Sequence, residues 1–195
     1  MSDREQAWGL LIEFTHSESL RKHALAVEAC MRAYARKFSG SQGEEELWGV
    51  VGLLHDFDYE KYPSLADHPY RGNEILKERG YSDEIRRAII SHAEYSGVTR
   101  DTRMEKALFA CDELAGFITA VALVKPGKSL AEVDAKSVRK KMKDKAFARN
   151  VKREDIVNGA TALGVELEEH IAFCIAALQG IADKLGLDGN AAKSV

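Results

Sequence analysis

The sequence predicts an all-α fold, a single-domain helical bundle, and three observations carry that prediction. Apolar residues recur at helical spacing along nearly the whole chain. No segment sustains the two-residue alternation of a half-buried strand, and good capping residues stand where the periodic runs begin. With 195 residues, 45% of them hydrophobic, the chain is long enough for one substantial core, and residues 1–195 are expected to form a single domain.

A first short helix is expected over residues 5–14. A second begins after Ser17, an N-cap type, and carries Leu20, Ala24, Val27 and Met31 as one stripe with His23 on it, until the "SGSQG" loop at 39–43. The third, over 44–56, is acidic in its first turn and strongly apolar through Leu47, Val50, Val51 and Leu54; His55 and Asp56 close it. After the irregular "DYEKYPSLAD", Pro69 suits the first position of a helix reaching Gly80, so His68 stands at a helix N-terminus. Ser82 with Asp83 and Glu84 opens a helix whose Ile85, Ala88 and Ile89 face leads to His92, and "EYSG" stops it. A long helix over 103–124 carries Leu108, Cys111, Asp112, Ala115 and Ile118 before Pro126-Gly127. The basic region is expected to form short helical pieces, and residues 163–185 supply apolar residues at helical spacing. The last stretch, "DGNAAKSV", reads as a frayed tail. The organisation expected is a core over 17–124, with a basic segment and C-terminal helices over 125–195 packing on it.

Composition narrows the function classes. No basic leader runs into an apolar stretch, and nothing approaches the roughly 20 apolar residues that span a bilayer, so a cytoplasmic protein without membrane partners is expected. Cys30, Cys111 and Cys174 are widely spaced with no CxxC pair, and read as reduced core residues. The net charge of -3 conceals an asymmetry: residues 125–153 hold eleven Lys and Arg against three acids. A basic patch on an otherwise acidic chain suits an anionic ligand, whereas a solvated helical face is the commoner explanation. Nucleic-acid binding through this segment is the secondary reading, and the oligomeric state is not legible.

Four of the six histidines, His23, His55, His68 and His92, lie among the core helices, and Asp56 and Asp112 interrupt apolar faces where a charge requires a partner. Imidazoles with a few carboxylates are the donor set of Zn, Mn, Fe or Ni, and the lack of available thiolates argues against a closed structural zinc site. Six donors exceed the needs of one tetrahedral ion and suit two, with a carboxylate able to bridge them. His55 and Asp56 stand at a helix C-terminus, which favours a cation, while the N-terminus at His68 favours an anion.

The ordered set His23, His55-Asp56, His68, His92, Asp112 resembles the HD superfamily of metal-dependent phosphohydrolases over residues 17–124. The segment "HDFDYEKYPSLADHPYRGNEILKERGYSDEIRRAIISHAEYSG" is similar to that of small HDIG-like bacterial hydrolases of this superfamily. A Gly-Lys soon after the doublet and a GYP segment, which mark its cyclic-dinucleotide phosphodiesterases, are missing. The resemblance implies a helical bundle of the HD-domain type. It also implies one ion held by His23, His55, Asp56 and Asp112 and a second held by His68, His92 and a bridging Asp56, the metal being Mn, Fe, Co, Ni, Zn or Mg. The implied activity is hydrolysis of a small phosphate ester, a nucleotide foremost, by metal-activated water, with Asp56, His68 and His92 as catalytic residues. A di-iron oxygenase of the same superfamily and a non-catalytic regulatory module are the alternatives.

For substrate contacts the sequence nominates Arg71 and Asn73, beside the anion-favouring helix start. Lys140, Lys141 and Lys143 join them if the basic segment closes over the site. Asp58 and Glu60, just past the doublet, read equally as site residues or as a solvated acidic loop. Tyr59, Tyr62 and Tyr70 read as core packing, and His16 and His170 as surface residues.

Overall fold

The structure, a computed structural model, describes residues 3–190. These form ten α-helices and no strand. They are α1 (Asp3–Phe14), α2 (Glu18–Phe38), α3 (Gln42–Leu54), α4 (Tyr70–Glu78), α5 (Asp83–Ser91), α6 (Arg103–Leu123), α7 (Ala135–Met142), α8 (Arg153–Leu163), α9 (Leu167–Gln179) and α10 (Ala182–Leu185). The fold is all-α as expected, and none of its helices is long and apolar enough to cross a membrane. The chain divides into two compact units, Met1–Phe109 and Ala110–Val195, with the division inside the unbroken α6.

In the first unit α2 and α3 pack closely because α3 presents glycines to α2. A Cβ at Gly52 would stand 2.9 Å from Met31 Cγ and 3.0 Å from the backbone of Glu28. The facing residues Ala24, Val27, Met31, Val51 and Leu54 are fully or almost fully buried. Between α1 and α2 the buried Glu28 accepts from Arg4 Nε at 2.6 Å and Arg32 Nε at 2.9 Å, so each charge is paired where desolvation would otherwise penalise it. The start of α6 is a capping box: Thr102 Oγ1 accepts from Glu105 N at 3.2 Å, and Glu105 accepts from Thr102 N at 2.8 Å. "TRME" carries that signature in plain view, and it sets where the helix bearing Asp112 begins.

In the second unit α8 crosses α6 at Gly159, where a Cβ would meet Ala110 Cα at 2.6 Å. His170, expected at the surface, is 1% exposed; its Nε2 donates to Ala110 O at 2.9 Å, and its Nδ1 faces Cys174 Sγ at 3.7 Å. It lies on the buried face of α9 with Ile171, Cys174 and Leu178, a stripe that the neighbouring acids of "ELEEH" mask. The basic region is built around one of its own cations. Arg153 donates to the carbonyls of Asp144, Phe147, Ala148 and Val151, so its guanidinium holds the turn rather than standing ready for a ligand. Of the expected tail, Asp188 pairs with Ser129 in an isolated bridge, while 191–195 lie outside the described residues.

Candidate metal centre

His23 is placed by the way α2 begins. Ser17 caps the helix, and Glu60 accepts from the N–H groups of His16 and Ser17 at 2.7 and 2.9 Å. Thr15 Oγ1 donates to Phe57 O at 2.8 Å. The residues just before α2 are thereby fastened to those just after the His55-Asp56 doublet, and the rings of His23 and His55 come to 5.1 Å between centroids. Glu60, open between two roles in the sequence, serves as this clamp.

Each imidazole of the doublet's neighbourhood has its Nδ1 anchored. The α3 helix ends at Leu54, and His55, with no exposed surface, turns Nδ1 to Gly52 O at 2.8 Å. His92 follows the same pattern at the end of α5, with Nδ1 on Ile89 O at 2.5 Å. His68 lies outside any helix, before a cis bond to Pro69, and turns Nδ1 to Asp58 Oδ1 at 2.8 Å. Carbonyl and carboxylate oxygens only accept, so Nδ1 carries a proton in all three rings, and Nε2 is the atom that would offer a lone pair to a metal.

Those three Nε2 atoms converge on Asp56. Oδ1 lies 3.2 Å from His68 and 3.2 Å from His92, and Oδ2 lies 3.5 Å from His55. Burial pushes the Asp56 carboxyl up, but His55, His68 and His92 outweigh it and hold the group well below the ordinary carboxylate range. Burial alone lowers His68; Asp56 and Asp58 reverse that and raise it to about 9. Nitrogen atoms this close to the Asp56 carboxylate call for positive charge between them, which a proton on His68 supplies in the metal-free protein and a metal ion would supply in its place. A divalent cation supplies that charge without protonating three closely spaced rings, and the donor set fits one.

Grouping the donor atoms within 4.8 Å of one another yields three sets: the buried thiols of Cys30, Cys111 and Cys174, which the sequence spacing does not suggest, and two that share Asp56, namely His23, His55, Asp56 and Asp112, and Asp56, His68 and His92. All six residues named from the sequence as ligands fall in the two sets that share Asp56. Residues 20–116, which contain all six, match the HD domain family. The chain carries an HD domain. HD domains form a superfamily of metal-dependent phosphohydrolases, and the His and Asp clusters are compatible with their metal site. A comparison with curated proteins found no match, and neither did one with solved structures.

The remaining nominated residues are distributed around this HD domain and beyond it. Arg71 is more than half exposed and pairs with Glu74 at 3.1 Å, while Asn73 Oδ1 accepts from Arg86 Nε at 3.1 Å. The anion expected at the start of α4 is supplied by the chain itself: Gly72 N donates to Asp58 Oδ2 at 2.8 Å. Lys140 and Lys143 are exposed at the end of α7, and Lys141 stands 4.7 Å over the Phe147 ring. Tyr59 and Tyr70, expected in the core, are 42% and 37% exposed.

One side chain near the centre was missed. Tyr95 donates its hydroxyl to His68 O at 2.8 Å, and burial with the nearby Asp56 charge pushes its pKa up to about 12. The capping pair Thr102 and Glu105 was legible as a motif, whereas nothing in the sequence around Tyr95 marks it.

Proposed function

We propose that the chain is a hydrolase of small phosphate esters, nucleotides foremost, that works with two divalent ions. His23, His55, Asp56 and Asp112 would hold the first ion, and Asp56, His68 and His92 the second. The observation that carries this reading is the division of Asp56: one oxygen faces His55 and the other faces His68 and His92. A carboxylate so placed would serve both ions, and with six-coordinate ions the four-donor and three-donor sets would each leave positions for water and substrate. Divalent ions at such sites lower the pKa of bound water toward about 7 and neutralise charge on phosphoryl oxygens.

The chain's own part is orientation and access. Gly52 O, Ile89 O and Asp58 fix the three rings so that their Nε2 atoms need no reorganisation. The Asp56 side chain is 25% exposed against 7% or less for His55, His68 and His92, which makes its edge the side from which substrate arrives. Half-exposed Tyr59, Tyr70 and Tyr95 flank that side around His68, and offer rings against which a nucleobase or sugar can lie. Arg71 is retained as a substrate contact, because its exposed pairs with Glu74 and Asp67 are weak enough to exchange for a phosphate. Three buried cysteines without a CxxC pair suit a reducing compartment, and the proposed place of action is the cytoplasm.

The test is metal analysis of protein purified without chelator, followed by a panel of phosphomonoesters and phosphodiesters assayed with Mn, Co and Ni. Hydrolysis that disappears in Asp56→Asn and His55→Ala is expected. Absence of hydrolysis with every metal and every ester overturns the reading, and oxygen uptake with an iron-loaded protein replaces it by the oxygenase.

A further inference from the structure

We propose that Asp58 is a positioning residue for the second ion alone, acting through His68 and held in place by Gly72. This inference rests on the two-ion reading above. His55 and His92 anchor Nδ1 on the carbonyl three residues earlier, which any helix end supplies whatever its sequence. His68 has no such carbonyl, because it precedes Pro69 outside the helices, and its Nδ1 rests instead on a side chain, Asp58 Oδ1, at 2.8 Å. The other oxygen of Asp58 is fixed by Gly72 N at 2.8 Å, and the carboxylate is 1% exposed, so neither oxygen turns to solvent.

Gly72 is what allows this approach. A Cβ there would lie 2.7 Å from both Cγ and Oδ2 of Asp58, so the carboxylate would have to shift from its place. The chain of support therefore runs from the Gly72 backbone to Asp58 to His68, and it reaches only the donor set that contains His68. Carboxylates that orient a ligating imidazole typically change metal affinity by about 10- to 100-fold when removed.

Two variants break the chain at different links. In Asp58→Asn the amide offers one oxygen where two N–H donors need acceptors, so either His68 or Gly72 faces an NH2 group. Gly72→Ala leaves the carboxylate intact and displaces it. Calorimetric titration with Mn and metal counting after dialysis should show two ions on the wild-type protein. Both variants should bind the second ion about 10- to 100-fold more weakly and the first unchanged. A merely structural role would weaken both ions alike or only lower the melting temperature of the metal-free protein. Equal weakening, or wild-type affinity for the second ion in both variants, overturns the inference while leaving the two-ion reading intact. Fewer than two ions on the wild-type protein overturns both. Should Asp58→Asn fail to fold, Gly72→Ala decides.

Discussion

Gly52→Ala probes whether the α2–α3 contact is as tight as the structure states, and whether that contact governs the first ion. The added methyl would meet Met31 Cγ at 2.9 Å and the Cα and N of Glu28 at 3.0 Å. Met31 can turn; the Glu28 backbone cannot move without the whole of α2. Overpacking of this kind costs about 1–3 kcal/mol, and the better helix propensity of alanine returns about 0.8–1 kcal/mol. The net loss is about 0–2 kcal/mol, which for a chain of this size lowers the melting temperature by up to roughly 8 °C. Gly9→Ala, in mid α1 with nothing within 4 Å, is the matched control. It should raise the melting temperature by about 1–4 °C through propensity alone. Thermal unfolding of both variants in chelator gives the comparison. Gly52→Ala should lie about 1–3 kcal/mol below Gly9→Ala, and the reasoning fails if it gains stability as Gly9→Ala does. Because Gly52 O also anchors His55 Nδ1, and His23 rides on α2, the same variant should weaken the first ion more than the second.

Glu28→Gln removes the charge that Arg4 and Arg32 share; both arginines keep some solvent contact at 36% and 19% exposure, so about 1–3 kcal/mol is expected rather than the full cost of a buried orphan. Chemical denaturation measures it, and an unchanged midpoint would show the cluster to be incidental. The His68 pKa near 9 in the metal-free protein stands above the ordinary 6.5, so its stabilising contribution is complete below pH 6.5 and is lost as pH rises through about 9. A metal must displace that proton, so Mn affinity should rise across the same window; affinity independent of pH would contradict the arrangement around Asp56 and Asp58. His170→Ala should cost about 1–3 kcal/mol by leaving Ala110 O without its donor, with metal content unchanged. Loss of metal along with stability would show that His170 is more than a core residue.

The six residues of the His and Asp clusters were legible because each is a residue type that a core does not tolerate unpaired, set on faces whose apolar spacing was plain. The helices were legible for the same reason, and where they fell short by a residue or two, capping decided the end: Pro69 is the N-cap of α4, one position before the helix. Asp58 was not separable from Glu60. Both lie in an irregular acidic stretch with no periodicity to assign a face, yet one is buried on His68 and the other clamps the start of α2. His170 was misplaced because local charge outweighed the i, i+4 relation to Cys174. The exposure of Tyr59 and Tyr70 was hidden by their composition alone, since aromatic rings are core residues on average and only the fold shows them at the surface, Tyr59 edge-on to His68. Arg153 illustrates a further limit. A basic run reads as a surface for anions until the carbonyls that one of its members satisfies are known.

The most direct measurement is the number of divalent ions bound per chain, in the wild-type protein and in Asp56→Asn, after loading with Mn and removal of excess metal. Two ions on the wild type and loss of both in the single variant are predicted, because one carboxylate serves both donor sets. A wild-type chain that binds fewer than two, or an Asp56→Asn chain that keeps both, would contradict the account.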